Sequence, residues 1–163
     1  MRRLIPLLLA GFCGLAHAQN FVSVGDLPAV LYDAPSMKAN KLFVLSPHYP
    51  LQAVVVLEHW VKVRDQQGKL FWVEKASLGQ PRYVMVAVPL ADVRHSPDDS
   101  APLVFQAKTG VLLEVAPQPP SPQPQSQPQP QPQSQPQPAT GWIAVQHPDG
   151  QSGYVKASQV WGG

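Results

Sequence analysis

Residues able to do chemistry are sparse in this chain, and their spacing argues against catalysis. His95-Ser96-Pro97-Asp98-Asp99-Ser100 gathers the residue types of a serine triad within six positions. Triad members are assembled across a fold, seldom from sequence neighbours. The stretch also aligns with Asp33-Ala34-Pro35-Ser36-Met37-Lys38, which has no histidine and no acid pair, so it reads as a solvated loop. His48, His59, His95 and His147 show no i, i+4 ligand spacing and no helix to carry it. Asp98-Asp99 supplies too few oxygens to specify calcium, and no glycine-rich phosphate loop is present. The single cysteine, Cys13, falls in an amino-terminal segment expected to be removed, which excludes a thiol nucleophile, a disulfide and a cysteine metal site. The expectation is a protein that is not an enzyme and has no cofactor or metal.

Aromatic residues are the better functional candidates. Trp60 and Trp72, and again Trp142 and Tyr154, occupy alternating positions on pairs of short apolar segments. Tryptophan and tyrosine offer large rigid contact area with a polar tip, which suits a binding surface. Covering a small core, or joining one small unit to the next, is the competing role for such rings.

The elements that position these rings repeat. WVKVRDQQGKLFWV from Trp60 recurs as WIAVQHPDGQSGYV from Trp142, at a constant offset of 82. The preceding segments match at a different offset: Ala29 falls on Ala91, Leu31 on Val93, Pro35 on Pro97, Leu42 on Val104 and Phe43 on Phe105, all 62 apart. The difference is an insertion between Val115 and Trp142, a tract made almost wholly of Pro, Gln and Ser. Two units of about 60 residues follow, the second interrupted by a low-complexity loop. We expect residues 1–18 as a signal peptide, 19–79 as the first unit and 80–163 as the second, with the loop over 117–138. Proline at every second position scatters rings over all faces of a polyproline helix, so the tract reads as an extended, solvated arm.

No segment keeps a 3.6-residue apolar period over a dozen positions, and turn residues recur every 8 to 12. Several short strands at that spacing predict an all-β barrel or sandwich. Within each echo, Gln66-Gln67-Gly68 and Pro148-Asp149-Gly150 suit a three-residue hairpin loop whose glycine takes the left-handed conformation. Pairing across the first loop sets Val63 opposite Phe71 and Val61 opposite Val73. Alternation then puts Ile143, Val145, Gly153 and Val155 inside the second hairpin. Trp60, Lys62, Leu70 and Trp72, with Trp142, Ala144, Ser152 and Tyr154, fall on the outer faces.

Ala91-x-Val93-Arg94 with Pro97, Gly141-Trp142-x-x-Val145, and Asp149-Gly150-x-x-Gly153-Tyr154-Val155 together resemble the bacterial SH3 domain. The first unit departs from the pattern at Leu31-Tyr32, and at Phe71, where a glycine is usual. The resemblance implies two SH3-like small β-barrels in tandem, each of five to six strands. It also implies a binding role, often toward cell-wall peptidoglycan or envelope peptides. In that fold the first long loop curls toward the outer aromatic face, so Tyr32, Arg94 and His95 join Trp60, Trp72, Trp142 and Tyr154 as candidate ligand-binding residues.

Charge and ends bound the partners. MRR, the apolar run LIPLLLAGFCGLA and Ala16-His17-Ala18 predict a secretory signal cut after Ala18. Phe12 directly before Cys13 is too bulky for a lipid-attachment signal. Loss of Arg2 and Arg3 from the twelve Lys/Arg leaves ten against ten Asp/Glu. A neutral chain lacks the footprint of a nucleic-acid binder, and no later run approaches the length of a membrane span. The expected location is periplasmic or secreted. The expected partner is peptidoglycan or its stem peptide, or alternatively another envelope protein bound in an adaptor role.

Overall fold

A computed structural model describes residues 20–117 and 141–163. The signal peptide expected over residues 1–18 and nearly all of the Pro/Gln tract lie outside the described residues. The described chain forms two seven-stranded antiparallel sheets and two single 3-10 turns. The first sheet holds β1 (Phe21–Val24), β2 (Ala29–Tyr32), β3 (Lys41–Leu45), β4 (Pro50–Val56), β5 (Trp60–Arg64), β6 (Leu70–Glu74) and β7 (Leu78–Gly79). The second holds β8 (Tyr83–Val86), β9 (Leu90–Arg94), β10 (Leu103–Lys108), β11 (Leu112–Val115), β12 (Trp142–Gln146), β13 (Ser152–Lys156) and β14 (Val160–Trp161).

Spatial order is β3-β2-β6-β5-β4-β1-β7 in the first sheet and β10-β9-β13-β12-β11-β8-β14 in the second, the same order with each strand advanced by seven. The two sequence offsets map onto this repeat: 62 relates the first four strands of each sheet, and 82 relates the last three. The resemblance implied five to six strands per unit, and there are seven. The difference lies in short strands: β2 and β9 are the inner arms of the long-loop hairpins, while β7 and β14 are two-residue additions after the 3-10 turns.

Each sheet encloses its own core. Val24, Ala29, Leu31, Leu51, Val61, Val63, Phe71 and Val73 form the first cluster. Val84, Val86, Ala91, Val93, Ala107, Leu113, Ile143, Val145 and Val155 form the second. A single sheet without a covering helix buries one face only by curling on itself, and the pronounced twist of short strands permits it.

The hairpins carry the expected register. Val63 pairs with Phe71 and Val61 with Val73, and Val145 pairs with Gly153 and Ile143 with Val155. Both loops close as the turn chemistry requires. Asp65 N–H donates to Lys69 O at 3.0 Å and His147 N–H to Gln151 O at 2.8 Å. Gly68 and Gly150 sit at φ 83° and 87°, where a side chain would be strained.

The units touch along a seam. Phe21 and Trp161 meet edge to face with centroids 5.1 Å apart, and Trp161 Nε1–H donates to Pro50 O at 3.3 Å. Tyr83 N–H donates to the buried Ser23 Oγ at 2.8 Å. The Tyr83 ring stacks on His48 at 4.3 Å and 29°. Cores this small leave a domain marginal, and the seam adds aromatic burial that neither unit has alone.

Candidate functional site

The outer face of the first unit is built by β5 and β6. Register sets Lys62 opposite Trp72 and Trp60 opposite Glu74, so the two indoles are diagonal neighbours rather than a directly opposed pair. Each ring has its own partner. Trp60 meets Tyr32 edge to face at 5.2 Å, with Tyr32 itself 2% exposed as part of the floor. Lys62 Nζ lies 5.8 Å from the centre of the Trp72 ring, within cation–π range. Both indoles stay half-exposed, giving two flat apolar surfaces beside one cation. Next to Trp60, the β4–β5 turn closes through Leu57 N–H to Trp60 O at 2.8 Å. That turn and the end of β6 line a surface depression with Glu58, His59, Glu74 and Lys75.

The second unit turns out differently. Trp142 and Ala144, expected outside, are each 8% exposed. Lys156 Nζ covers the Trp142 ring at 5.5 Å and is itself held by Asp99. Tyr154 remains half-exposed opposite Ala144, with Arg94 as its neighbour on β9. Arg94 is occupied: Nη1 donates to Ala101 O at 2.8 Å and Nη2 to Asp92 Oδ2 at 2.9 Å. His95 is exposed, with its backbone N–H on Pro102 O. The structure therefore brings Tyr32, Trp60 and Trp72 onto one unit and Arg94, His95, Trp142 and Tyr154 onto the other, with the Trp142 ring buried beneath Lys156. Alternation along β5 puts Lys62 on the outer face with both indoles, yet the sequence does not single it out as a ligand-binding candidate.

The acid–hydroxyl loop closes on itself. Asp98 Oδ1 accepts both the N–H of Ser100, at 2.7 Å, and its hydroxyl, at 2.8 Å. Those hydrogen bonds hold the Asp98 carboxyl below its usual range. Among the described residues no group of three or more His, Cys, Asp or Glu is placed to hold a metal. No described helix is long and apolar enough to cross a membrane.

Residues 26–79 and 137–162 match the family model described as "Bacterial SH3 domain". No curated protein matches the chain by sequence. Among solved structures, NlpC1 from Trichomonas vaginalis is similar at 12% identity and TM-score 0.37, over 96% of this chain and 50% of that one. NlpC2 from the same organism gives 11% and 0.35, over 88% and 48%. An NlpC/P60 family protein from Bacillus cereus ATCC 10987 gives 14% and 0.36, over 87% and 56%. The chain spans about half the length of these structures. The model's match reaches into both units, one along nearly its whole length and the other along its closing hairpin, and the chain belongs to the bacterial SH3 domain family.

Proposed function

We propose that this chain is an exported, non-catalytic binding module of the bacterial envelope whose ligand is peptidoglycan or its stem peptide. The family match in both units is the observation that carries the reading. The outer face of the first unit supports it physically: the half-exposed Trp60 and Trp72 flank Lys62. Indole faces stack on the apolar sides of sugar rings and on peptide bonds, and an ammonium between them suits the carboxylates of a stem peptide. The second unit offers Tyr154 with His95, and its Trp142 serves the fold instead.

Co-sedimentation of the purified protein with sacculi tests this. Retention should fall at least tenfold in Trp72→Ala, while the variant keeps its circular dichroism spectrum. Trp142→Ala should instead lose about 3 kcal/mol of stability or more, as buried tryptophans do on truncation. Wild-type protein left wholly in the supernatant overturns the wall-binding reading. An envelope protein retained through Trp72 would then support the adaptor role.

A further inference from the structure

Two opposite charges stand on the outer face of the first unit without neutralising each other. Cross-strand pairing sets Glu74 opposite Trp60 and, one row along, Lys62 opposite Trp72. All four side chains alternate outward and are half-buried. Lys62 and Glu74 are diagonal neighbours with backbones about 7–8 Å apart, yet among the described residues neither takes part in an ion pair. Lys62 Nζ lies over the Trp72 ring, whereas no described cation lies over Trp60. Arg64, the next outward cation on β5, already donates to Gln52 Oε1 at 3.3 Å. Glu74 also lines the depression that Glu58, His59 and Lys75 complete, and the charges of Glu58 and Lys75 offset each other. The second unit lacks this arrangement. Ala144 stands at the position of Lys62 and Lys156 at that of Glu74, and Lys156 is occupied by the Trp142 ring and Asp99.

The two rows attract opposite charges. An ammonium set against an indole face and a carboxylate is drawn by both, since the ring face is negative. That is the Trp60–Glu74 row. The Trp72 ring already carries the Lys62 ammonium, so the other row repels a second cation and accepts a carboxylate. We propose that this face binds a zwitterionic peptide end, with a free amine between Trp60 and Glu74 and a carboxylate on Lys62. The separation of the two rows matches about two residues of extended peptide. The proposal rests on the wall-binding reading above and narrows its ligand. An uncrosslinked stem peptide keeps the side-chain amine of its diamino acid as a cation, and cross-linking converts that amine to a neutral amide. The chain therefore selects uncrosslinked stem peptides.

Co-sedimentation of the full chain with untreated sacculi, and with sacculi whose free amines have been acetylated, tests this. Acetylation should lower retention about tenfold. Glu74→Gln should lower retention on untreated sacculi to the same level and show no further fall on acetylated ones. A soluble probe gives a second readout: N-acetyl-L-Ala-γ-D-Glu-L-Lys-D-Ala, its lysine amine free or acetylated, titrated while NMR follows the indole N–H signals of Trp60 and Trp72. The free form should shift both signals at about tenfold lower concentration, and Lys62→Met should weaken both forms alike. Equal retention on the two kinds of sacculi overturns this proposal and leaves wall binding standing. So does an amine preference that survives Glu74→Gln. Amine-dependent binding of the peptide without retention by sacculi keeps the proposal and overturns the wall-binding reading. Binding to neither overturns both.

Discussion

The two units share strand order, register and turn chemistry, and one pair of inward positions sets their packing apart. Position 71 in the first unit is phenylalanine, and its counterpart in the second is Gly153. Both point inward. A side chain at Gly153 has no room, because a Cβ there would lie 2.6 Å from Arg94 O and 2.8 Å from Val93 Cγ1. The neighbouring strand β9 thus lies close over β13, and Phe105 can settle against the core. In the first unit the Phe71 ring fills that interior space and meets Phe43 edge to face at 5.5 Å. Phe43 is left half in solvent. The glycine-to-phenylalanine difference thus goes with a Phe105 tucked against the core in one unit and a Phe43 displaced outward in the other.

Whether the units are two folding bodies or one can be broken open at Trp161, which stands where the first unit has Gly79. Its ring joins Phe21 and its indole N–H reaches Pro50 across the seam. Trp161→Ala removes a half-buried aromatic and one hydrogen bond, a loss of about 2–3 kcal/mol. Thermal unfolding followed by calorimetry should move from one transition to two, exposing the separate stabilities of the units. A single transition at an unchanged temperature would mean that the seam couples nothing.

Gly153→Ala sharpens the comparison with a smaller perturbation. The added methyl meets backbone on β9, which moves only if the sheet opens, so a loss of about 1–3 kcal/mol is expected. The displacement should follow the first unit's pattern: Phe105 is levered outward and loses its contact with His147, now 5.6 Å between centroids. NMR shifts of the His147 ring protons report that contact. Unchanged shifts with unchanged stability would remove the glycine as the cause of the difference.

Much of this was legible beforehand, for identifiable reasons. Register in both hairpins follows from alternation plus a loop of fixed length, and a slip of one residue would have put Val61, Val63 and Phe71 in water. The burial of Trp142 was not legible. It depends on Lys156 folding over the ring and on Asp99 holding Lys156, a contact across 57 positions that no local pattern encodes. Strands β7 and β14 are two residues long and carry no periodicity, so only pairing with β1 and β8 defines them. The hairpin register already sets Lys62 opposite Trp72, and the structure adds the ammonium's position 5.8 Å from the ring centre, which depends on side-chain rotamers.

The seam also sets a difference between the units at high pH. Tyr83 stands where the first unit has Phe21, and it brings a titratable group to the same junction. Burial pushes its hydroxyl above the usual tyrosine value, and the charge and hydrogen bond of Glu114, then the charge of Asp26, push it further. The unfolded chain thus releases this proton first. The folded state binds more protons once pH passes the unfolded value of 10.0, so the contribution is intact below that and declines as pH climbs toward the folded value. Tyr83→Phe removes the titration while keeping the ring against His48. The wild type should therefore lose more melting temperature than Tyr83→Phe between about pH 8 and pH 11. This is the smallest of the expected effects, because the hydrogen bond to Glu114 is long, at 3.4 Å. Parallel losses in the two proteins would show that the Tyr83 hydroxyl titrates alike folded and unfolded.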